Sequence, residues 1–271
     1  MNDYLPPFFT KARHLKIYKL LNQHQTMEIK EIAEELGISQ STTRRDIELM
    51  EKLGYVKRFF GGVSLDKISS EDIEPPFEIR EIIKAHEKKA IGKKAAEFVE
   101  EGDCIFIDGG TTTQFMVPYL KRFQNLTVVT CGINVAYALN KLPGITKIIL
   151  GGQMNSAAHS ITGKIPLDMM ETYLFRFDKS FLTANAVSAK FGVTNRFIDR
   201  IPLKQRAIEL SEKTYLLCDG SKIGKMALGQ IAPVTSICAI ISDSGAPENE
   251  VQLLREAGAN VIITHTFQEL N

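Results

Sequence analysis

Two groups of side chains in this 271-residue chain have the types and spacing to do chemistry. The first is Asp108-Gly109-Gly110-Thr111-Thr112-Thr113, an acid, two glycines and three hydroxyls immediately before a helical segment. Glycines let a backbone approach an anion closely, hydroxyls donate hydrogen bonds, and a helix that follows turns its N-terminal amides toward the same point. The run therefore reads as a phosphate cradle or, equally on its own residues, as a structural Gly-Thr turn with a helix cap. It has neither the lysine and spacing of a nucleotide P-loop nor the glycine spacing of a dinucleotide fingerprint. The second group is Ser39 to Arg45, the polar and basic start of a helix that follows a tight turn. Gln40, Ser41, Thr42, Arg44 and Arg45 can hydrogen-bond to base edges or to phosphates.

The elements that must position the second group are legible around it. Ile29, Ile32, Ala33 and Leu36 recur at helical spacing, Gly37 stands where a helix ends, and Ser39 is a natural N-cap. In the next helix Thr43, Ile47, Met50 and Leu53 face inward, while Ser41, Arg45, Glu48 and Lys52 face out with Arg44 beside them. Glu48 and Glu51 would repel phosphate, so only the first two turns are expected to enter a major groove. Tyr55–Phe60 then alternates apolar and basic residues, Gly61-Gly62 is expected to make a hairpin turn, and Val63–Leu65 returns. The expected DNA-binding residues are Ser39, Gln40, Ser41, Thr42, Arg44 and Arg45, with Lys57 and Arg58 on a wing. The competing reading is a solvated helical hairpin used for protein contacts.

From Asp103 onward, short apolar runs alternate with helical segments. The runs are Cys104–Ile107, Leu126–Val129, Lys147–Leu150, Ser180–Leu182, Tyr215–Leu217, Ile237–Ile241 and Val261–Thr264; helices are expected at Gln114–Arg122, Asn134–Lys141, Pro166–Phe175, Pro202–Ser211 and Glu248–Ala257. Such alternation predicts a Rossmann-like parallel α/β sheet with helices on both faces. Ligands in these sheets bind beyond the carboxyl ends of the strands. Beside the Asp108 turn, those ends bring Thr130 and Asn134, Gly151-Gly152, Thr183 to Asn185, and Asp219 with Lys222. Together they suit a small phosphorylated polyol or sugar.

Arg13, Ile17, Leu21, Ser39, Thr42, Arg44, Arg45, Asp46 and Ile47 fall at the spacing of the DeoR-family helix-turn-helix signature. The similarity runs on to near the C-terminus. Thr43 departs from it, standing where the family carries an aliphatic residue. The resemblance implies a winged helix-turn-helix domain followed by a sensor domain similar to ribose-5-phosphate isomerase, and a regulator answering to phosphorylated sugars or related metabolites. It implies an effector site of Asp108, Gly110, Thr111, Thr112, Thr113, Thr130, Gly152, Lys204, Asp219 and Lys222. In that site the turn would hold the phosphate, Lys204 or Lys222 would balance its charge, and Asp108 and Asp219 would accept from hydroxyls. A second departure is Leu182-Thr183-Ala184-Asn185, where family members carry glycine.

The expected domains are 1–66 for the DNA-binding head, 67–76 for a polar linker ending in two prolines, and 77–271 for the sensor, whose first helix reads as Glu78–Glu100. Net charge is +1, which implies no general affinity for polyanions or membrane surfaces. No secretory signal or membrane-spanning run is evident, so a cytoplasmic protein is expected. The four cysteines, Cys104, Cys131, Cys218 and Cys238, lack metal-site spacing and read as buried free thiols; the five histidines are scattered. No metal or cofactor is expected. The partners are a double-stranded operator, a small phosphorylated effector and further copies of the chain, as a dimer or tetramer. The leading function is a repressor of carbohydrate-metabolism genes. The alternative is a sugar-phosphate isomerase-like enzyme with an accessory DNA-binding domain. Against it, isomerases of similar fold carry carboxylates after a central strand, and Phe181–Ser188 has none.

Overall fold

The computed structural model describes residues 7–52, 55–65, 77–156, 158–173 and 175–266. The chain divides into two compact units, Met1–Ile82 and Ile83–Asn271. The expected linker at 67–76 lies outside the described residues.

The N-terminal unit runs α1 (Pro7–His24), β1 (Thr26–Met27), α2 (Ile29–Leu36), α3 (Gln40–Lys52), β2 (Val56–Phe59), β3 (Gly62–Leu65) and α4 (Phe77–Ile82). Apolar spacing on three helices closes one core: Ile17 and Leu21 from α1, Ile32 from α2, Ile47 and Met50 from α3, with Val56 and Val63 from the hairpin. Gly37 ends α2 at φ 63°, and the Ser39 hydroxyl accepts from the Thr42 amide at 3.2 Å to cap α3. Thr43 is fully buried, and its hydroxyl donates to the Ser39 carbonyl at 3.1 Å, so threonine serves at an aliphatic position with its polar atom bonded. The wing differs from expectation in one respect. Phe59 pairs with Gly62, so the two-residue loop is Phe60-Gly61, with Gly61 at φ 97°. Gly62 begins β3, where a Cβ would stand 3.0 Å from the Met27 carbonyl and from the Phe59 ring. β1 adds a third strand beside β3, too short to register as a sequence pattern.

Asp46, on the buried side of α3, accepts from Arg13 through both oxygens at 2.8 and 3.1 Å and lies 3.3 Å from His14 Nε2. Burial alone would raise this carboxyl, but hydrogen bonds from His14 and Arg13 and the arginine charge outweigh it and hold the group below the usual carboxylate range. Asp46→Ala removes the shared acceptor and is expected to cost about 1–3 kcal/mol, read as faster amide exchange in α3. Because the folded pKa is depressed, the contribution is present above about pH 4 and fades as pH falls through the folded value. The gap between wild type and variant should therefore close in acid.

The second unit begins with α5 (Ala85–Ala96). The expected helix over Glu78–Glu100 is two helices, because Lys84 adopts a left-handed conformation (φ 54°) between α4 and α5. Next come β4 (Cys104–Ile107), α6 (Thr111–Gln114), β5 (Leu126–Thr130), α7 (Ile133–Leu139), β6 (Ile145–Ile149), β7 (Gln153–Asn155), β8 (Ser160–Thr162), α8 (Lys164–Thr172) and β9 (Phe177–Leu182). The chain continues through β10 (Ala186–Ser188), β11 (Gly192–Asn195), α9 (Ile201–Glu209), β12 (Ser211–Leu217), β13 (Gly229–Ala232), β14 (Ala239–Asp243), α10 (Glu248–Glu256) and β15 (Val261–Thr264).

Seven strands form one parallel sheet in the order β15-β14-β12-β9-β4-β5-β6, which includes a strand at every expected apolar run. Alternation sorts the side chains between its faces. Ile105, Ile107, Val128, Phe181, Tyr215, Leu217 and Ile241 join a core with α5 and α7; Phe106, Val129, Leu182, Leu216 and Ile240 face the cores on the other side, with α8, α9 and α10. The expected helix at Gln114–Arg122 is the single turn α6 and then a 3-10 helix at Val117–Arg122. A small antiparallel sheet, β10-β11-β13, and the hairpin β7-β8 complete the unit. The chain leaves β4 toward β5 and β6, then crosses to β9 on the other side of β4. The strand order thus reverses between β4 and β9, where sheets of this kind open a crevice for ligands. Among the described residues no helix is long and apolar enough to cross a membrane.

Candidate functional site

In the N-terminal unit, Gln40, Ser41, Arg44, Arg45, Lys57 and Arg58 are exposed, while Thr43, Asp46, Ile47 and Met50 fill the opposite side of α3. Ser39 and Thr42 are engaged locally: the Ser39 hydroxyl lies 2.9 Å from both the Ser41 and the Thr42 hydroxyls. The two exposed arginines and Gln40 are thus presented by a helix whose start is fixed by its cap. The acid residues further along are met from within the unit. Arg58 Nε donates to Glu51 at 2.6 Å, and its Nη1 stands 3.5 Å from Glu48. The wing arginine therefore reaches α3, which its position in the sequence did not disclose.

In the second unit the residue that closes β4 is Asp108, nearly fully buried. Its Oδ2 accepts from the Thr183 amide at 3.0 Å, from the Thr183 hydroxyl at 2.8 Å, and from the Lys204 ammonium. Lys204 also donates to the Thr183 carbonyl at 2.9 Å. β4, β9 and α9 are thus tied at the switch point by one carboxylate. This differs from the expected roles: Lys204 is buried against Asp108 instead of standing ready for a phosphate, and Asp108 already has three donors on one oxygen. The departure at Thr183 has a physical reason in the same place, since both its amide and its hydroxyl satisfy Asp108. Gly110 is where a side chain would collide, with Thr183 Cγ2 2.9 Å from a Cβ there.

The turn itself is compact. Thr111, Thr112 and Thr113 are buried. The Thr113 hydroxyl donates to the Asp108 and Gly110 carbonyls at 2.8 and 3.1 Å. Thr130 donates to the Ile107 carbonyl at 2.6 Å and accepts from the Gly132 amide at 3.0 Å. Both hydroxyls therefore shape the turn. α6 is one turn long, and its bond from the Gln114 amide to the Gly110 carbonyl leaves the amides of Thr111 to Thr113 ahead of the first such bond. Asn134 Nδ2 reaches the Gly110 carbonyl (3.0 Å) and Gln114 (2.8 Å). Gly152 is not part of this cluster; it lies beyond the edge strand β6, two strands from β4, against Ile161 and Pro166.

Two strands to the other side of β4, Asp219 follows β12. It accepts from the Ser221 amide at 3.1 Å and lies 3.8 Å from Lys84 Nζ. Burial would raise this carboxyl, yet Lys222, the Ser221 hydrogen bond, Lys84 and Lys88 hold it below the usual range. Asp243, at the end of β14, accepts from the Gly220 and Gly245 amides at 2.7 and 2.9 Å. Three lysines thus act on Asp219 here, whereas Lys204 is bonded to Asp108. Sequence reading missed Lys84, Lys88 and Asp243. Lys88 sits in a basic amphipathic helix and looks like a solvated face, although it is 4 % exposed. Cys131 and Cys218 lie at the same strand ends; burial pushes both thiols up to about 12, which leaves them protonated and unreactive at neutral pH. Among the described residues no group of three or more His, Cys, Asp or Glu is placed to hold a metal ion.

Comparison with known proteins agrees with both halves. Residues 13–69 match the DeoR-like helix-turn-helix domain, and residues 83–244 match the DeoR C terminal sensor domain. The uncharacterized HTH-type transcriptional regulator FruR of Bacillus subtilis (strain 168) is 35% identical over 235 residues, covering 87% of this chain and 92% of that one. The glycerol-3-phosphate regulon repressor of Escherichia coli (strain K12) is 28% identical over 244 residues, covering 90% and 95%. Among solved structures, ribose 5 phosphate isomerase A from Neisseria gonorrhoeae aligns with 50% of this chain and 52% of its own at TM-score 0.35 and 18% identity.

Proposed function

The chain belongs to the DeoR family of DNA-binding transcriptional regulators, and from that membership we propose that it represses carbohydrate-metabolism genes under control of a phosphorylated sugar or polyol. The effector binds at the carboxyl ends of the parallel strands, between the Gly109–Thr113 turn and the Asp219 segment. The observation that supports this reading is the gathering of Lys84, Lys88 and Lys222 about Asp219 at that edge of the sheet. A phosphate there is drawn to three ammonium groups, while a neutral sugar is not. The relative named for glycerol-3-phosphate supports the same chemistry. Regulation requires only that the effector bind one arrangement of the DNA-binding heads more tightly than another. Paired half-sites call for paired heads, so the working form is a homo-oligomer, a dimer or a tetramer.

Turnover at this site is disfavoured by its own bonding. Proton transfer needs a base free to take a proton. Asp108 is held by three donors, and the strand end after Leu182 supplies hydroxyl and amide groups in place of acids.

A thermal-shift screen tests the pocket. At a concentration a hundredfold above its dissociation constant, the effector adds about 2.7 kcal/mol, a shift of several degrees. Phosphorylated sugars and polyols should give it and their dephosphorylated forms should not. Thr111→Val with Lys222→Met should abolish it; a shift untouched by that pair of changes would put the ligand elsewhere.

A further inference from the structure

The wing of the N-terminal unit ends in two aromatic rings. Phe60, in the two-residue loop, is fully exposed at 106 %, and Phe59 beside it is 49 % exposed. Phe59 lies over Gly62 and lines a groove of about 340 Å³ with Glu28, Lys30, Gln40, Arg44 and Arg58. The aromatic tip thus borders a charged groove at the start of α3. Exposure of a whole ring on a hairpin fixed by three-strand pairing has a solvation cost, and the exposed Arg44 in the groove gives its partner a sign: a polyanion.

The wing arginine does something else. Its backbone amide donates to Glu51 Oε1 at 3.1 Å while its Nε donates to Glu51 Oε2 at 2.6 Å, and Nη1 approaches Glu48 at 3.5 Å. Glu51 is held below the usual carboxylate range, first by the Arg58 backbone bond. Exposed pairs of this kind add little stability. What they change is where charge sits: two carboxylates in the second half of α3 are offset, and one guanidinium is spoken for.

We propose that Phe60 is the DNA contact of the wing, laid against the sugar and base edges of the minor groove, and that Arg58 is a positioning residue that offsets Glu48 and Glu51 instead of binding phosphate. Apolar side chains at hairpin and helix ends act as wedges in that groove, where a ring gains contact without needing a hydrogen-bond partner. The proposal rests on the DNA-binding reading of this unit and assigns roles within it.

The test uses the full chain and a duplex that the wild-type protein selects from a random-sequence pool. Phe60→Ala should weaken binding about tenfold or more, with the slope of log affinity against log salt unchanged because no charge is lost. Phe60→Trp should bind as wild type does. Arg58→Gln should also weaken binding at unchanged salt slope, and adding Glu48→Gln and Glu51→Gln should restore it. A salt slope reduced by about one for Arg58→Gln, with no restoration, makes Arg58 a phosphate ligand and overturns its assigned role. Phe60→Ala binding as wild type does, or changing subunit number in place of DNA affinity, overturns the role of the ring. Selection of no duplex by the wild-type protein removes the DNA-binding reading itself.

Discussion

Lys204→Met is expected to destabilise the C-terminal unit by about 3–5 kcal/mol, a large change for a side chain on a helix. The lysine and its partner Asp108 are both nearly excluded from water, with side chains 7 % and 6 % exposed. Removing the ammonium leaves a carboxylate buried at the junction of β4 and β9 with only the Thr183 donors and the weak Cys131 thiol on it. Breaking a buried pair in this way costs more than the pair contributes, because the remaining charge has lost its compensation. Asp108→Asn in the same chain removes that charge and should recover most of the loss. Denaturant unfolding of the two variants measures both values. If Lys204 served only the effector, Lys204→Met would leave the unfolding midpoint in place and alter ligand affinity alone.

The second large effect belongs to the other unit. Arg44→Ala with Arg45→Ala should reduce DNA affinity by two orders of magnitude or more, since each arginine contact to a base or phosphate contributes about 1–3 kcal/mol. Both side chains are exposed, and the core side of α3 is formed by Thr43, Asp46, Ile47 and Met50, so the fold should be unaffected. A shallower salt dependence, read by fluorescence anisotropy across a salt series, accompanies the loss where the contact is to phosphate. Normal DNA binding by the double variant would place the reading surface elsewhere on the unit.

What the sequence disclosed follows from where hydrophobicity alone decides the structure. Strands buried on both faces read as apolar runs, and each of the seven expected runs falls within or overlaps a strand of the sheet. α3 announced itself through Ser39, a cap three residues ahead of the amide it satisfies. The losses are of three kinds. Pairing across the chain is invisible to spacing, and the Asp108–Lys204 link spans 96 positions. Backbone reversals in an apolar-periodic segment leave no mark either: Lys84 breaks the expected helix at φ 54° although lysine is an ordinary helix former. Short elements such as β1, β7 and β10, two or three residues each, hold too few residues to show a period. The turn at Gly61-Gly62 shows a fourth limit. Two adjacent glycines marked the hairpin correctly, but one supplies the positive φ and the other makes room for Met27 and Phe59, needs that only the folded hairpin separates.

The same distinction bears on the effector site. Residue types pointed to the Asp108–Thr113 turn, and the turn does lie where the strand order reverses. The hydroxyls of Thr113 in the turn and of Thr130 beside it are spent on backbone carbonyls, however, and Lys204 is bonded to Asp108. Lysines gather instead around Asp219: Lys222, which the sequence offered, and Lys84 and Lys88, from the N-cap of α5 and from α5, which the sequence presents as surface.

DNA binding by the full chain, titrated in parallel with a phosphorylated sugar found in the thermal screen and with its dephosphorylated form, tests the central claim most directly. The phosphorylated compound should shift the DNA dissociation constant by about 5- to 150-fold, and the dephosphorylated one should leave it unchanged; Lys222→Met should abolish the shift while DNA affinity without effector stays at the wild-type value. A DNA dissociation constant indifferent to every phosphorylated sugar and polyol that binds the chain would contradict it.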